Sequence, residues 1–134
     1  MSTISGIALS GMNAAMLRLT ASASNIVNVR STGPLPDAPN PTGHRPVYTP
    51  LRVDQWSVPS GGTQARIVPS VANPIPTYDP DAPYADDEGM VASPDIDLPG
   101  EMVELVSARL AFIASVRVLQ ADADMYRALF SIKA

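Results

Sequence analysis

The sequence predicts a mainly α fold, with long N- and C-terminal helices packed as a coiled-coil-like pair around a Pro-rich irregular middle that contains a small β-hairpin. Three observations predict it. All fourteen prolines fall between residues 33 and 100, and none lies in residues 1–32 or 101–134, so helix-hostile sequence is confined to the middle. Apolar residues recur at three- and four-residue steps in both ends. Two alternating runs flank Ser60-Gly61-Gly62, as expected of paired strands around a turn. The chain therefore divides into an N-terminal helix region over 1–32, a proline-rich loop and hairpin region over 33–96, and a C-terminal helix over 97–134.

The first helix is placed over residues 3 to 29, where Ile4, Ala8, Met12, Ala15, Leu19, Ser22, Ile26 and Val29 recur at helical spacing. Ser2 or Thr3 serves as N-cap, and Gly33-Pro34 marks the end. Arg18 is the only charged side chain before Arg30, which is unusual for a helix with a water-facing side. Its many Gly, Ala and Ser residues keep its girth small and suit close packing against other helices. Pro34 to Pro46 reads as an extended linker. From Val47 to Trp56, and again from Gln64 to Val71, apolar and polar residues alternate, and Pro50 and Pro69 assign these strands to sheet edges. Asn73 to Gly100 reads as irregular, with its acidic cluster Asp79, Asp81, Asp86, Asp87 and Glu88 in solvent.

The closing helix begins at Asp97 as N-cap, with Pro99 in its first turn and Glu101 and Glu104 where the helix dipole favours negative charge. One apolar register runs through Met102, Leu105, Phe112, Val116, Leu119, Ala123, Tyr126 and Phe130, broken by Arg109. A second of mostly small residues runs beside it. A third, Val103, Val106, Leu110 and Ile113, turns polar as Arg117, Gln120, Asp124 and Arg127. One partner helix covers a single stripe, so this helix is expected to need several neighbours. The isolated chain would leave apolar stripes in water, and both ends are expected to order fully only on assembly.

Composition narrows the function. Nine basic and thirteen acidic residues give a net charge of −4, and the basic residues are scattered, so nucleic acid is not an expected partner. Without cysteine there is no disulfide, thiolate metal site or cysteine nucleophile. The acidic cluster lacks the order and closing Glu of an EF-hand loop, and no metal or other cofactor is expected. No run approaches the ~20 apolar residues of a membrane span, and Met1 to Met16 lacks the basic start and unbroken apolar stretch of a cleaved signal. The single histidine, His44, lies in the proline-rich loop, and no nucleophile elbow or phosphate-binding loop is present. Asp95 and Asp97 suit capping better than acid–base work. An enzyme with a small-molecule substrate is not expected.

Three segments also carry a resemblance. Ala8 to Gly33, with Arg18-Leu19, Ala23-Ser24-Asn25-Ile26, Asn28 and Thr32-Gly33, resembles the N-terminal helix of the bacterial flagellar axial proteins of rod and hook. Tyr78-Asp79-Pro80-Asp81-Ala82-Pro83, followed by Ala85-Asp86, Gly89, Val91 and Pro94, is similar to the central signature of the C-type proximal rod subunits. Asp97, Glu101-Met102-Val103, Leu105, Ala108-Arg109, Val116, Val118-Leu119 and Met125 resemble that family's last helix. The resemblance implies a structural subunit that is exported by the flagellar type III apparatus and polymerises through its terminal helices into the periplasm-spanning rod that transmits motor torque. It implies contacts with other rod proteins and with the membrane-ring and export complex, and no direct membrane span. The residues assigned to the assembly interface are Ile4, Met12, Leu19, Asn25, Ile26, Met102, Leu105, Phe112, Val116, Leu119, Tyr126 and Phe130. Another axial subunit, or a secreted helical module that docks on a single partner, is the alternative.

Overall fold

A computed structural model describes residues 3–36 and 43–132. Ser2, Pro39, Pro41 and the last two residues of the predicted closing helix lie outside the described residues. The element order is α1 (Thr3–Asn28), β1 (Leu51–Ser57), β2 (Thr63–Pro69), β3 (Ile75–Tyr78), β4 (Met90–Ser93) and α2 (Leu98–Ile132). The two long helices account for the mainly α character, and they run antiparallel. Ser5 meets Asp122, Arg18 meets Glu104, and Asn25 meets Glu101.

The end of α1 is fixed by polar side chains rather than by a glycine. Ser31 donates to the Asn28 carbonyl from both its backbone N (2.9 Å) and its Oγ (2.8 Å), satisfying an oxygen that has no partner within the helix. Gly33 has another use. Its N donates to the Ala92 carbonyl at 3.0 Å and its carbonyl accepts from Ala92 N at 2.8 Å, clipping the exit of α1 onto β4. A Cβ at this position would lie 2.5 Å from Val47 N, so only glycine fits between the two backbones.

β1 and β2 form the antiparallel hairpin anticipated around Ser60-Gly61-Gly62, in register from Leu51 opposite Pro69 to Ser57 opposite Thr63. Gly61 and Gly62 take φ values of 86° and 90°, conformations that side chains disfavour. The strands begin at Leu51, four residues later than the alternation at Val47 suggests, and Val71 lies beyond β2, almost fully exposed.

The segment expected to be irregular holds a second antiparallel hairpin, β3 with β4, in register from Ile75 opposite Ser93 to Tyr78 opposite Met90. Asp86 builds its turn. Its Oδ1 accepts from Glu88 N at 2.9 Å and Met90 N at 2.8 Å, and Gly89, at φ 74°, completes the bend. Short strands, Pro76 in one of them and acidic residues between them mask this hairpin in the sequence. Its inner strand is nonetheless deeply buried, with Val91 and Ala92 both at 0% exposure.

The interface between α1 and α2 differs from an apolar heptad seam. Among the described residues the buried side chains of α1 are Ala8, Ala14, Ala15, Ala21, Ser22 and Asn25, with Ala14 beside Trp56 and Ala65 of the hairpin, and those of α2 are Ala108 and Asp122. The approach is close. A Cβ on Gly11 would come within 2.9 Å of Ser115 Oγ. Small residues such as Gly11 and Ser115 let the two helices approach closely at this point.

Candidate assembly surfaces

Asn25 anchors the interior. It is 1% exposed, and its amide uses both donors and both acceptor positions. Oδ1 accepts from Leu51 N at 2.8 Å and from Tyr48 Oη at 3.0 Å, while Nδ2 donates to the Leu51 carbonyl at 2.8 Å and to Glu101 Oε1 at 2.6 Å. Tyr48 Oη also shares a hydrogen bond with Ser24 at 2.9 Å. One side chain therefore ties α1 to the start of the first hairpin and to the first turn of α2. Two helical turns earlier, Arg18 binds the Glu104 carboxylate through both Nε and Nη2 and reaches Ser107 at 3.3 Å. The hydrogen bond to Glu104 is the main cause of a raised Arg18 pKa, opposed by desolvation.

The far end of the hairpin is pinned separately. Thr63 N donates to Ser10 Oγ at 3.1 Å, and Ser10 in turn donates to the Ile7 carbonyl at 2.7 Å. Among the described residues no buried side-chain N or O atom lacks a hydrogen-bond partner. The internal contacts are thus polar and saturated.

The outside is the reverse. Of the residues assigned to assembly, Ile4, Met102, Tyr126 and Phe130 are exposed, with Phe130 at 73%. Met12, Leu19, Ile26, Leu105, Phe112, Val116 and Leu119 are half-buried, and Asn25 is occupied by the bonds just described. Residues outside that set complete the surface: Val103, Val106, Leu110 and Ile113 on the back of α2, and Met125, Leu129 and Ile132 at its end. The third register of the sequence contains the first four. On the back of α2 a shallow groove of about 540 Å³ is lined by Met102, Val103, Val106, Ser107 and Leu110. A second, of about 410 Å³, lies where Ile4, Ile7 and Gly11 face Ala114 and Val118 beneath the hairpin tip at Gly62. Arg117 bonds Gln120 and Arg127 bonds Asp124, each at 3.0 Å, along the exposed polar strip.

Among the described residues no side-chain cluster forms a catalytic arrangement around the single histidine. His44 packs edge-on against Tyr84, whose hydroxyl bonds Thr32 at 2.6 Å, so both rings hold loops in place. Among the described residues no group of three or more His, Asp or Glu side chains could hold a metal ion, and no helix is long and apolar enough to cross a membrane.

A search against models of known protein families returns no match. Curated proteins do match along nearly the whole chain. The flagellar basal-body rod protein FlgC of Escherichia coli O6:H1 is 34% identical over 120 residues, 89% of this chain and 87% of that protein. The chain belongs to the FlgC family of flagellar basal-body rod proteins. FlgC of Yersinia enterocolitica is 35% identical over 114 residues, covering 84% and 83% of the two chains. FlgC of Agrobacterium fabrum is 30% identical over 125 residues, covering 93% and 89%. Membership makes the chain a structural subunit of the flagellar basal body and not an enzyme.

Proposed function

We propose that this FlgC-family chain polymerises through the exposed faces of its two helices into the periplasm-spanning part of the rod and there transmits motor torque. The observation that carries this reading is the inversion of size between inside and outside. Among the described residues the buried apolar side chains are six alanines and one valine, while Ile, Leu, Met, Val and Phe side chains line the outer helix faces. Contiguous apolar surface of this kind marks a protein contact. In the tube the terminal helices over 1–32 and 97–134 form the inner layers as a coiled-coil-like set, and the region over 33–96 faces outward toward neighbouring rod proteins and the membrane-ring and export complex. The assembly residues are those named above, with Asn25 acting through the fold of the subunit. Export proceeds through the flagellar type III apparatus. Isolation of basal bodies from a flagellated strain carrying a tagged copy tests the reading. The chain should co-purify with the rod, and a motile strain whose purified basal bodies lack it would overturn the assignment.

A further inference from the structure

The second hairpin is joined to the rest of the fold unlike any other element. β1 and β2 lie against α1, and α1 lies against α2, whereas β3 and β4 pair with each other and approach no other element among the described residues. What holds the hairpin is the stretch that follows α1. Gly33 and Ala92 exchange two backbone hydrogen bonds, of 3.0 and 2.8 Å. Tyr84, in the loop between β3 and β4, shares its hydroxyl with Thr32 at 2.6 Å and packs its ring against His44. Gly33, Pro34, Val91, Ala92 and Pro94 are buried. The contacts at Ser10, Arg18 and Asn25, which tie the helices to each other and to the first hairpin, involve no residue in 71–93.

The hairpin is also complete in itself. Successive residues of an antiparallel strand turn their backbone groups alternately toward the partner strand and away from it. On β4 the residues that turn away from β3 are Met90 and Ala92. Asp86 bonds both groups of Met90 from within the hairpin: its N donates to the Met90 carbonyl at 3.0 Å and its Oδ1 accepts from Met90 N at 2.8 Å. The groups of Ala92 are bonded by Gly33 instead. Separation from Gly33 therefore leaves the turn and the register of the hairpin intact.

We propose that the second hairpin is a latched flap, which opens as a unit on the flanking segments 71–74 and 94–97 while the helix pair and the first hairpin stay closed. The Gly33–Ala92 pair is the latch, and Thr32–Tyr84 secures it. A two-stranded hairpin has little stability of its own, and a unit with few contacts outside itself opens at a lower free energy than the whole molecule. Val71, 91% exposed, leaves the first flanking segment unencumbered. Opening parts the exit of α1 from the approach to α2 and frees one N–H and one carbonyl on Ala92, yet keeps Asn25 bonded to Leu51 and Glu101. The inference concerns the single chain and does not depend on the rod reading.

Native-state hydrogen exchange on the full chain, read amide by amide, tests it. Gly33 and Ala92 should show one common protection factor, at least about tenfold below that of Leu51 N, which Asn25 holds. Tyr84→Phe keeps the ring and removes the bond to Thr32. It should lower protection at Gly33 and Ala92 roughly fivefold and change that of Leu51 by less than about twofold. Gly33→Ala, whose Cβ would meet Val47 N at 2.5 Å, should release the latch outright, so that Ala92 exchanges as an exposed amide while Met90 N and Leu51 N remain protected. Equal protection of Ala92 and Leu51 in the unmodified chain, or in either variant a loss spread over α1 and α2, would show a single cooperative unit and overturn the proposal.

Discussion

The side of α2 that meets α1 carries Glu101, Leu105, Ala108, Ser115 and Asp122, whereas the opposite side carries Met102, Val106, Leu110 and Ile113, and the end carries Tyr126, Leu129 and Phe130. The fully buried residues of the inward side, Ala108 and Asp122, are small or polar, Leu105 beside them is half-buried, and the outward side is large and apolar. Hydrogen bonds with matched partners supply direction and register, but each contributes only about 1 kcal/mol net. Burial of a large side chain contributes about 1.5–3 kcal/mol without direction. The chain spends its directional contacts internally, where two helices must be held at one register. Its large apolar side chains are left on the surface.

This division of labour is most sharply broken at Asn25. Asn25→Ala strips a partner from Leu51 N, the Leu51 carbonyl and the Glu101 carboxylate at once, and should lower the stability of the isolated chain by about 3 kcal/mol in urea unfolding, a value set by unsatisfied buried polar groups. A loss below about 1 kcal/mol would mean that the interior does not depend on its polar clasp. Next in size, Ala108→Leu forces extra volume into a site at 0% exposure and should cost about 2 kcal/mol by overpacking. If instead the variant were more stable, the close approach of the helices would be wrong.

On the outward side the expectation reverses. Leu110→Asp and Phe130→Asp should change monomer stability by no more than about 0.5 kcal/mol, as exposed substitutions do, while swimming in soft agar and recovery of rods are lost. Wild-type motility in both would leave the apolar faces without a role. The smallest effect is expected at Asp87, which is exposed and takes part in no ion pair among the described residues. Asp87→Ala should leave both stability and motility unchanged, and impaired motility there would move a subunit contact onto the second hairpin.

Much of the fold is legible in the sequence because its punctuation is local. Gly61 and Gly62 mark the first hairpin, the prolines keep the middle out of helix, and Asp97 with Pro99 places the start of α2 to within one residue. The second hairpin escapes the same logic. Its strands are four residues long, Pro76 interrupts one of them, and the ordering hydrogen bonds come from Asp86, an acidic residue that composition alone assigns to solvent. The faces of α2 are half legible. Periodicity shows which side chains are apolar, and so identifies surfaces that seek burial, but it is silent on whether α1 or a neighbour covers them. Met102 and Phe130 share a register with Leu105 and Phe112, and only the geometry separates the exposed pair from the half-buried one. Asn25 stands out in the sequence as part of a motif. That it saturates its hydrogen bonds with Leu51, Tyr48 and Glu101 depends on contacts distant in sequence.

The clip of Gly33 on Ala92 places the exit of α1 and the entrance of α2 at one pole of the molecule, and leaves Thr3 and Ile132 together at the other. A force that parts the two ends at that second pole loads the Ser5–Asp122 contact first, then the Gly11–Ser115 approach, then Arg18–Glu104 and finally Asn25–Glu101, each alone. A force directed along the helix axes loads the whole series simultaneously. The subunit is thus stiff against sliding of one helix past the other and compliant to being opened from its termini, as a zip fastener is.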